Sequence, residues 1–283
     1  MAATAEAVRW RGTASWPAPH GWNLFDAAAA MPPLLSNGWT WAADFGRSWA
    51  DFTSLSCSWP LLVSAPAGDG HPVMVIPGLC TDDTWTTLLR GFLEQHGYQA
   101  YGWDLGANRG TSAQVVTGMA RRVDEITQRH GRAMSIIGWS LGGLFARRQA
   151  LRTPEAVRQV ITLGSPLCTL CGEAPDAVVE PLDDPASPPC GTRVPAAEAS
   201  AVPTTSVYSR WDGVVPWEGC LNPHERLTEN IEIYSSHFGF GTHPAALWAI
   251  ADRLAQPIGG WHVFEPPVAM RAAYPAPQYA PAT

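Results

Sequence analysis

The sequence predicts an α/β domain, a mostly parallel sheet flanked on both faces by helices, over residues 71–257. Three observations carry this. Short apolar runs alternate with amphipathic stretches of 10 to 18 residues, the pattern of strands joined by crossover helices. Runs such as PVMVIP are apolar nearly throughout, as a strand buried on both faces requires. One run leads directly into a glycine-flanked serine, Gly138-Trp139-Ser140-Leu141-Gly142.

A chain of 283 residues can bury one substantial core. Its hydrophobic content of 46% and charged content of 15% describe an ordered globular protein. The net charge of −7 gives no basic surface for nucleic acid or an anionic membrane, and arginine supplies all the positive charge because there is no lysine. No apolar run reaches the roughly 18 residues of a membrane-spanning helix. The N-terminus lacks the basic and apolar regions of a secretory signal, so a cytoplasmic location is expected.

Taken in order, residues 1–70 form a tryptophan-rich arm. Half of the 14 tryptophans lie between Trp10 and Trp59. Within it, 39–56 places Trp41, Phe45, Trp49 and Phe52 at helical spacing, which predicts an amphipathic helix packed on the core, or else an apolar surface beside a substrate entrance or for a partner. Strand 72–77 follows, then a helix starting near Asp82 or Asp83 with Trp85, Leu88, Leu89, Phe92 and Leu93 on one face and Gly97 at its end. Strand 98–103 leads to a helix after Gly110, striped by Val115, Val116, Met119, Val123 and Ile126 and stopped by Gly131. Strand 133–137, helix 141–151, strands 157–163, 205–209 and 230–234, and helix 244–254 complete the series. Residues 168–203 break the alternation and predict a lid or loop. The proline-rich tail 258–283 is expected to wrap the surface or fray.

The G-x-S-x-G phrase matches a nucleophile elbow. Its serine sits on a strained strand-to-helix turn, and glycines on either side remove Cβ atoms that would strike the neighbouring strand and helix. The helix that follows points its positive end at a developing oxyanion. A serine nucleophile needs an imidazole base, and the base needs a carboxylate. Asp212 directly follows a strand and is the candidate acid; Glu218 and Asp184 are weaker because neither does. His237, 25 residues on and after the next strand, is the candidate base. His243, six residues further, is its competitor, with a helix-terminal role as the alternative. For the oxyanion, one donor is the Leu141 amide and the other lies in Pro77-Gly78-Leu79-Cys80, with the Leu79 amide first and Cys80 next. Cys80 as nucleophile has no evident base.

From about residue 71 to 256 the chain resembles the α/β-hydrolase superfamily, in a bacterial lipase- and esterase-like branch. The phrases VMVIPGL, GWSLGGLFARRQA, VITLGSPL, YSRWDGVVPW and SSHFGFGTHPAALWAIADRLAQP carry the resemblance. It implies an eight-stranded sheet, a cap at 168–203 and a catalytic histidine in the SHxGxG phrase, hence His237. Poly(hydroxyalkanoate) synthases share parts of the pattern but would have cysteine at position 140.

Cys168-x-x-Cys171 could bind zinc only with Cys190 and Cys220 as further ligands, and a Cys190–Cys220 disulfide is the other option. No metal or cofactor is expected; no G-x-G-x-x-G, Walker loop or H-E-x-x-H is present. The expected activity is carboxylic ester hydrolysis through an acyl-enzyme on a small ester or lipid-like substrate with an apolar acyl or aromatic group. Leu167, Leu170, Val178, Val179 and the aromatic residues Trp139, Trp211, Trp217, Phe238 and Phe240 suggest the pocket. Acyl transfer by the same triad and a silent binding protein are the alternatives.

Overall fold

The computed structural model describes residues 38–167, 201–223 and 225–275. The expected lid, except for its last positions, and with it Leu170, Val178, Val179, Asp184, Cys168, Cys171 and Cys190, lies outside the described residues.

In chain order the elements are α1 (Gly38–Leu62), β1 (Pro72–Ile76), α2 (Thr87–Gln95), β2 (Gln99–Gly102), α3 (Ala113–His130), β3 (Met134–Trp139), α4 (Leu141–Arg152), β4 (Val157–Leu163), β5 (Thr204–Tyr208), β6 (Thr228–Glu232) and α5 (Pro244–Ala255). The strands form one parallel sheet in the order β2-β1-β3-β4-β5-β6. The described residues therefore hold six of the eight strands implied by the resemblance. β6 begins two residues earlier than the sequence suggests, because Thr228 pairs with Thr204.

Strands β1, β3 and β5 are buried along their whole length, which explains their lack of polar alternation. Successive side chains still point to opposite faces. Val73, Val75 and Ile137 pack with Leu89 and Phe92 of α2 and with α5. Met74, Ile76 and Ile136 pack with Met119 and Val123 of α3 and with Leu144 of α4. Helix ends follow local chemistry. Ser112 accepts the Val115 N–H at 3.2 Å to start α3, and Gly131, at φ +62°, ends it. Asp82 caps a short 3-10 turn, Asp83–Thr86, that precedes α2.

The first helix forms where its spacing predicts, and of the two readings of its aromatic stripe, inward packing does not hold for the rings described. It is longer than 39–56, and its aromatic stripe faces outward: Phe45, Trp49 and Phe52 are 50%, 64% and 42% exposed. In this stretch Asp44 and Asp51 are buried instead, while at the helix's end Leu62 is buried and Leu55, Trp59 and Leu61 pack on the core. The last turns of α1 pack on α5 and the core, but beneath Asp44 and Asp51 lie loop amide groups that need acceptors, and these donors select carboxylates over rings.

The sheet order reverses direction between β1 and β3. In open parallel sheets that reversal opens a crevice at the carboxyl ends of the strands, and both the loop after β1 and the turn after β3 project there.

Candidate active site

Ser140 follows β3 at φ +52° and ψ −123°, a conformation costly for a residue with a side chain. The surroundings hold it there. Its N–H donates to the Leu163 carbonyl at 2.8 Å, and its own carbonyl accepts the Gly143 N–H at 3.0 Å. Both flanking glycines are sterically required. A Cβ on Gly138 would come within 2.4 Å of the α4 backbone, and one on Gly142 within 2.4 Å of the Ile76 carbonyl in β1. The loop after β1 passes directly over the serine, since a Cβ on Gly78 would sit 3.2 Å from Ser140 Cβ.

That loop separates the two oxyanion candidates. The Cys80 N–H is spent on the Asn108 carbonyl at 2.7 Å, which removes it as a donor. The Leu79 amide makes no backbone hydrogen bond among the described residues. Leu141 is the first residue of α4, so its amide has no intrahelical partner. Buried Asn108, which the sequence did not single out, fixes the loop further: its Nδ2 donates to the Pro77 carbonyl at 2.8 Å and its N–H to that of Thr81 at 2.8 Å.

Asp212 and His237 are brought together. His237 Nδ1 lies 2.7 Å from Asp212 Oδ2, with side chains 5% and 1% exposed. Asp212 Oδ1 accepts the N–H groups of Val214 and Val215, both at 2.8 Å, which orients the carboxylate. With Nδ1–H donated to Asp212, Nε2 is the nitrogen left with a lone pair. The His237 loop is tied to the elbow: Trp139, the residue before Ser140, donates its indole N–H to the His237 carbonyl at 3.1 Å.

The competitors fall away. His243 Nδ1 accepts the Ala245 N–H at 3.2 Å as the cap of α5, and burial lowers its pKa, so it is a neutral helix cap. Glu218 is exposed on the 3-10 turn Trp217–Cys220. Cys220 is buried, its thiol 3.7 Å from the Pro216 carbonyl.

A second serine, histidine and aspartate cluster sits at the opposite end of β1 and β3. His71 Nδ1 meets Asp69 Oδ1 at 2.5 Å and its Nε2 meets Ser135 Oγ at 2.8 Å. Ser135 and His71 are wholly buried, with no access for a substrate, so this cluster is structural. Burial first, then the neighbouring Arg158, pushes His71 down to about 4.

A cleft of about 280 Å³, lined by Thr84, Trp85, Leu88, Trp139, Phe238, Gly241 and Thr242, lies next to these groups. Its walls include the chain neighbours of both Ser140 and His237. Trp85 and Leu88, expected on the core face of α2, are 48% and 52% exposed and line this cleft instead. Trp139 and Phe240 are buried, whereas Trp211 is 59% exposed. A larger hollow of about 420 Å³ between Leu105 and α3 holds none of the candidate residues.

The profile of the palmitoyl protein thioesterase family matches residues 72–211, from the first residue of β1 to the residue before Asp212. That match falls on the parallel sheet and the strained serine turn just described. The chain belongs to the α/β-hydrolase superfamily. This α/β hydrolase is also 32% identical over 106 residues to a pimeloyl-[acyl-carrier protein] methyl ester esterase of Shewanella woodyi, covering 38% of this chain and 40% of that one. The same enzyme of Aliivibrio fischeri is 33% identical over 103 residues, covering 36% and 39%. The chain thus spans about two-fifths of the length of the curated relatives it matches. Among solved structures, a mature-form lipase of Bacillus licheniformis aligns with 68% of this chain and 95% of that one at 16% identity and a TM-score of 0.49.

Proposed function

We propose that this α/β hydrolase is a serine ester hydrolase that works through an acyl-enzyme. The observation that carries the reading is the strained Ser140 turn beside an Asp212–His237 pair bonded at 2.7 Å. His237 Nε2 takes the Ser140 proton as Oγ attacks the ester carbonyl, and the oxyanion forms against the amides of Leu141 and Leu79. The imidazolium, stabilised by Asp212, then protonates the leaving alcohol as its C–O bond breaks. Water, deprotonated by His237, attacks the acyl-enzyme; collapse releases the acid and returns the proton to Ser140. The relatives that match are a thioesterase family and methyl ester esterases, which supports an acyl substrate.

The apolar cleft favours medium-chain or aromatic acyl groups over charged ones. The test is a panel of p-nitrophenyl esters from acetate to octanoate, with a matched thioester, run on the wild type beside Ser140→Ala. Rates should rise toward the medium chains. Loss of Ser140 should lower kcat by about three orders of magnitude or more. Full activity in Ser140→Ala would refute the mechanism, and rates falling steadily from acetate would refute the substrate class.

A further inference from the structure

We infer that Asp44 and Arg47 on α1 are positioning residues for the catalytic acid and base, which makes α1 a working part of the active site. The inference rests on the roles proposed above for Asp212 and His237. Asp212 lies on the loop after β5 and His237 on the loop after β6, so their 2.7 Å bond depends on how two separate loops are held.

Asp44 is fully buried and joins those loops. Its Oδ1 accepts the Gly213 N–H at 2.9 Å and the His237 N–H at 3.0 Å, and its Oδ2 accepts the Phe238 N–H at 3.2 Å. Arg47 Nη2 donates to Asp44 Oδ1 at 3.0 Å and to the Trp211 carbonyl at 2.9 Å. The peptide groups on both sides of Asp212 are therefore held by this pair, Trp211 by Arg47 and Gly213 by Asp44. The same carboxylate holds the main chain of His237.

Two turns further along α1, Asp51 Oδ2 accepts the Ser236 N–H at 3.0 Å and its hydroxyl at 2.6 Å. A Cβ on Gly239 would lie 1.8 Å from Asp51 Oδ2, so glycine at that position of the SHFGFG phrase is what admits the carboxylate. The helix thus grips the histidine loop on both sides of His237. A buried carboxylate is expensive unless its oxygens are filled, and a helix that only covered the core would use apolar side chains here. These carboxylates are filled by the loops that carry the acid and the base.

The test uses the full chain and the best ester of the panel, with sites counted by exhaustive fluorophosphonate labelling. A displacement near 1 Å costs about a hundredfold in rate, so kcat per labelled site should fall about 10- to 100-fold in Asp44→Ala, with KM within about twofold. Asp44→Asn, which keeps one acceptor oxygen, should fall less. Arg47→Met, at a side chain 41% exposed, should fold normally and lose about 3- to 10-fold in kcat per site. A merely structural role would reduce the number of labelled sites or the Tm and leave kcat per site unchanged. Wild-type kcat per site in Arg47→Met overturns the inference, whether or not the Asp44 variants fold; so does wild-type kcat per site in folded Asp44→Ala. Ser140→Ala runs alongside: if it stays active, the failure belongs to the proposed mechanism and not to the clamp.

Discussion

At the residue scale, serine, histidine and aspartate residues gather at both ends of the same sheet, and their surroundings separate the proposed nucleophile from a structural serine. Ser140 has a forced backbone angle, open amides nearby and an apolar cleft beside it. Ser135 has a hydrogen bond to a wholly buried histidine and nothing to react with. The buried cluster makes its own prediction. His71 titrates near 6.5 when unfolded and near 4 when folded, because burial and then Arg158 oppose its charge. Between those values the unfolded chain binds more protons, so His71 lowers stability as pH falls from about 6.5 to about 4, by about 3 kcal/mol in all. Asp69 is shifted in the same direction, and its stabilisation too is lost toward acid, but at lower pH. Burial alone would raise its pKa, but hydrogen bonds from Arg158 and His71 hold it well below the usual carboxylate range, so its contribution persists until more acid conditions. Urea midpoints at pH 7.5, 5.5 and 4.5 should drop more steeply in the wild type than in His71→Gln; parallel slopes would contradict this account.

At the element scale, the stretch of α1 from Asp44 to Phe52 is amphipathic in an unusual sense, with its carboxylates inward and its rings outward. An exposed ring contributes little to folding, so Trp49→Gln should shift stability by no more than about 0.5 kcal/mol in a thermal or denaturant melt. A loss of several kcal/mol would mean that the ring is buried after all. This reversal also marks the limit of what periodicity can tell. The 39–56 segment was legible as a helix because Phe45, Trp49 and Phe52 recur every three or four residues. Asp44 and Asp51 recur seven apart on the same helix, a signal equally present in the sequence. Carboxylates default to solvent, however, and only the amides of loops some 170 to 190 positions away reverse that preference.

At the scale of the whole molecule, the last helix is joined to the end of the sheet by a buried ion pair. Arg253 of α5 donates to Glu229 of the edge strand β6 at 2.8 Å, with side chains 1% and 8% exposed. Glu229 also accepts the Thr205 hydroxyl of β5 and the Phe264 N–H, both at 2.8 Å, and Arg253 reaches the His262 carbonyl. One pair therefore ties two strands, a helix and the segment after it. Removing the cation leaves a buried carboxylate uncompensated, so Arg253→Met should cost about 3–5 kcal/mol in denaturant unfolding. A loss below about 1 kcal/mol would show that the pair is not holding these elements.

The sequence by itself determined the order of strands and helices and the serine turn, and narrowed the acid and base to a few candidates, because each of these rests on local chemistry. Periodicity, glycine at a strained turn, and a side chain just past a strand end are all written within a few residues. Only the tertiary structure decided which histidine meets Asp212, which of Leu79 and Cys80 has a free amide, and that α1 turns its acids inward. Each of those depends on hydrogen-bond partners supplied by distant segments. A donor or acceptor becomes unavailable, or obligatory, only once the fold has brought its partner beside it.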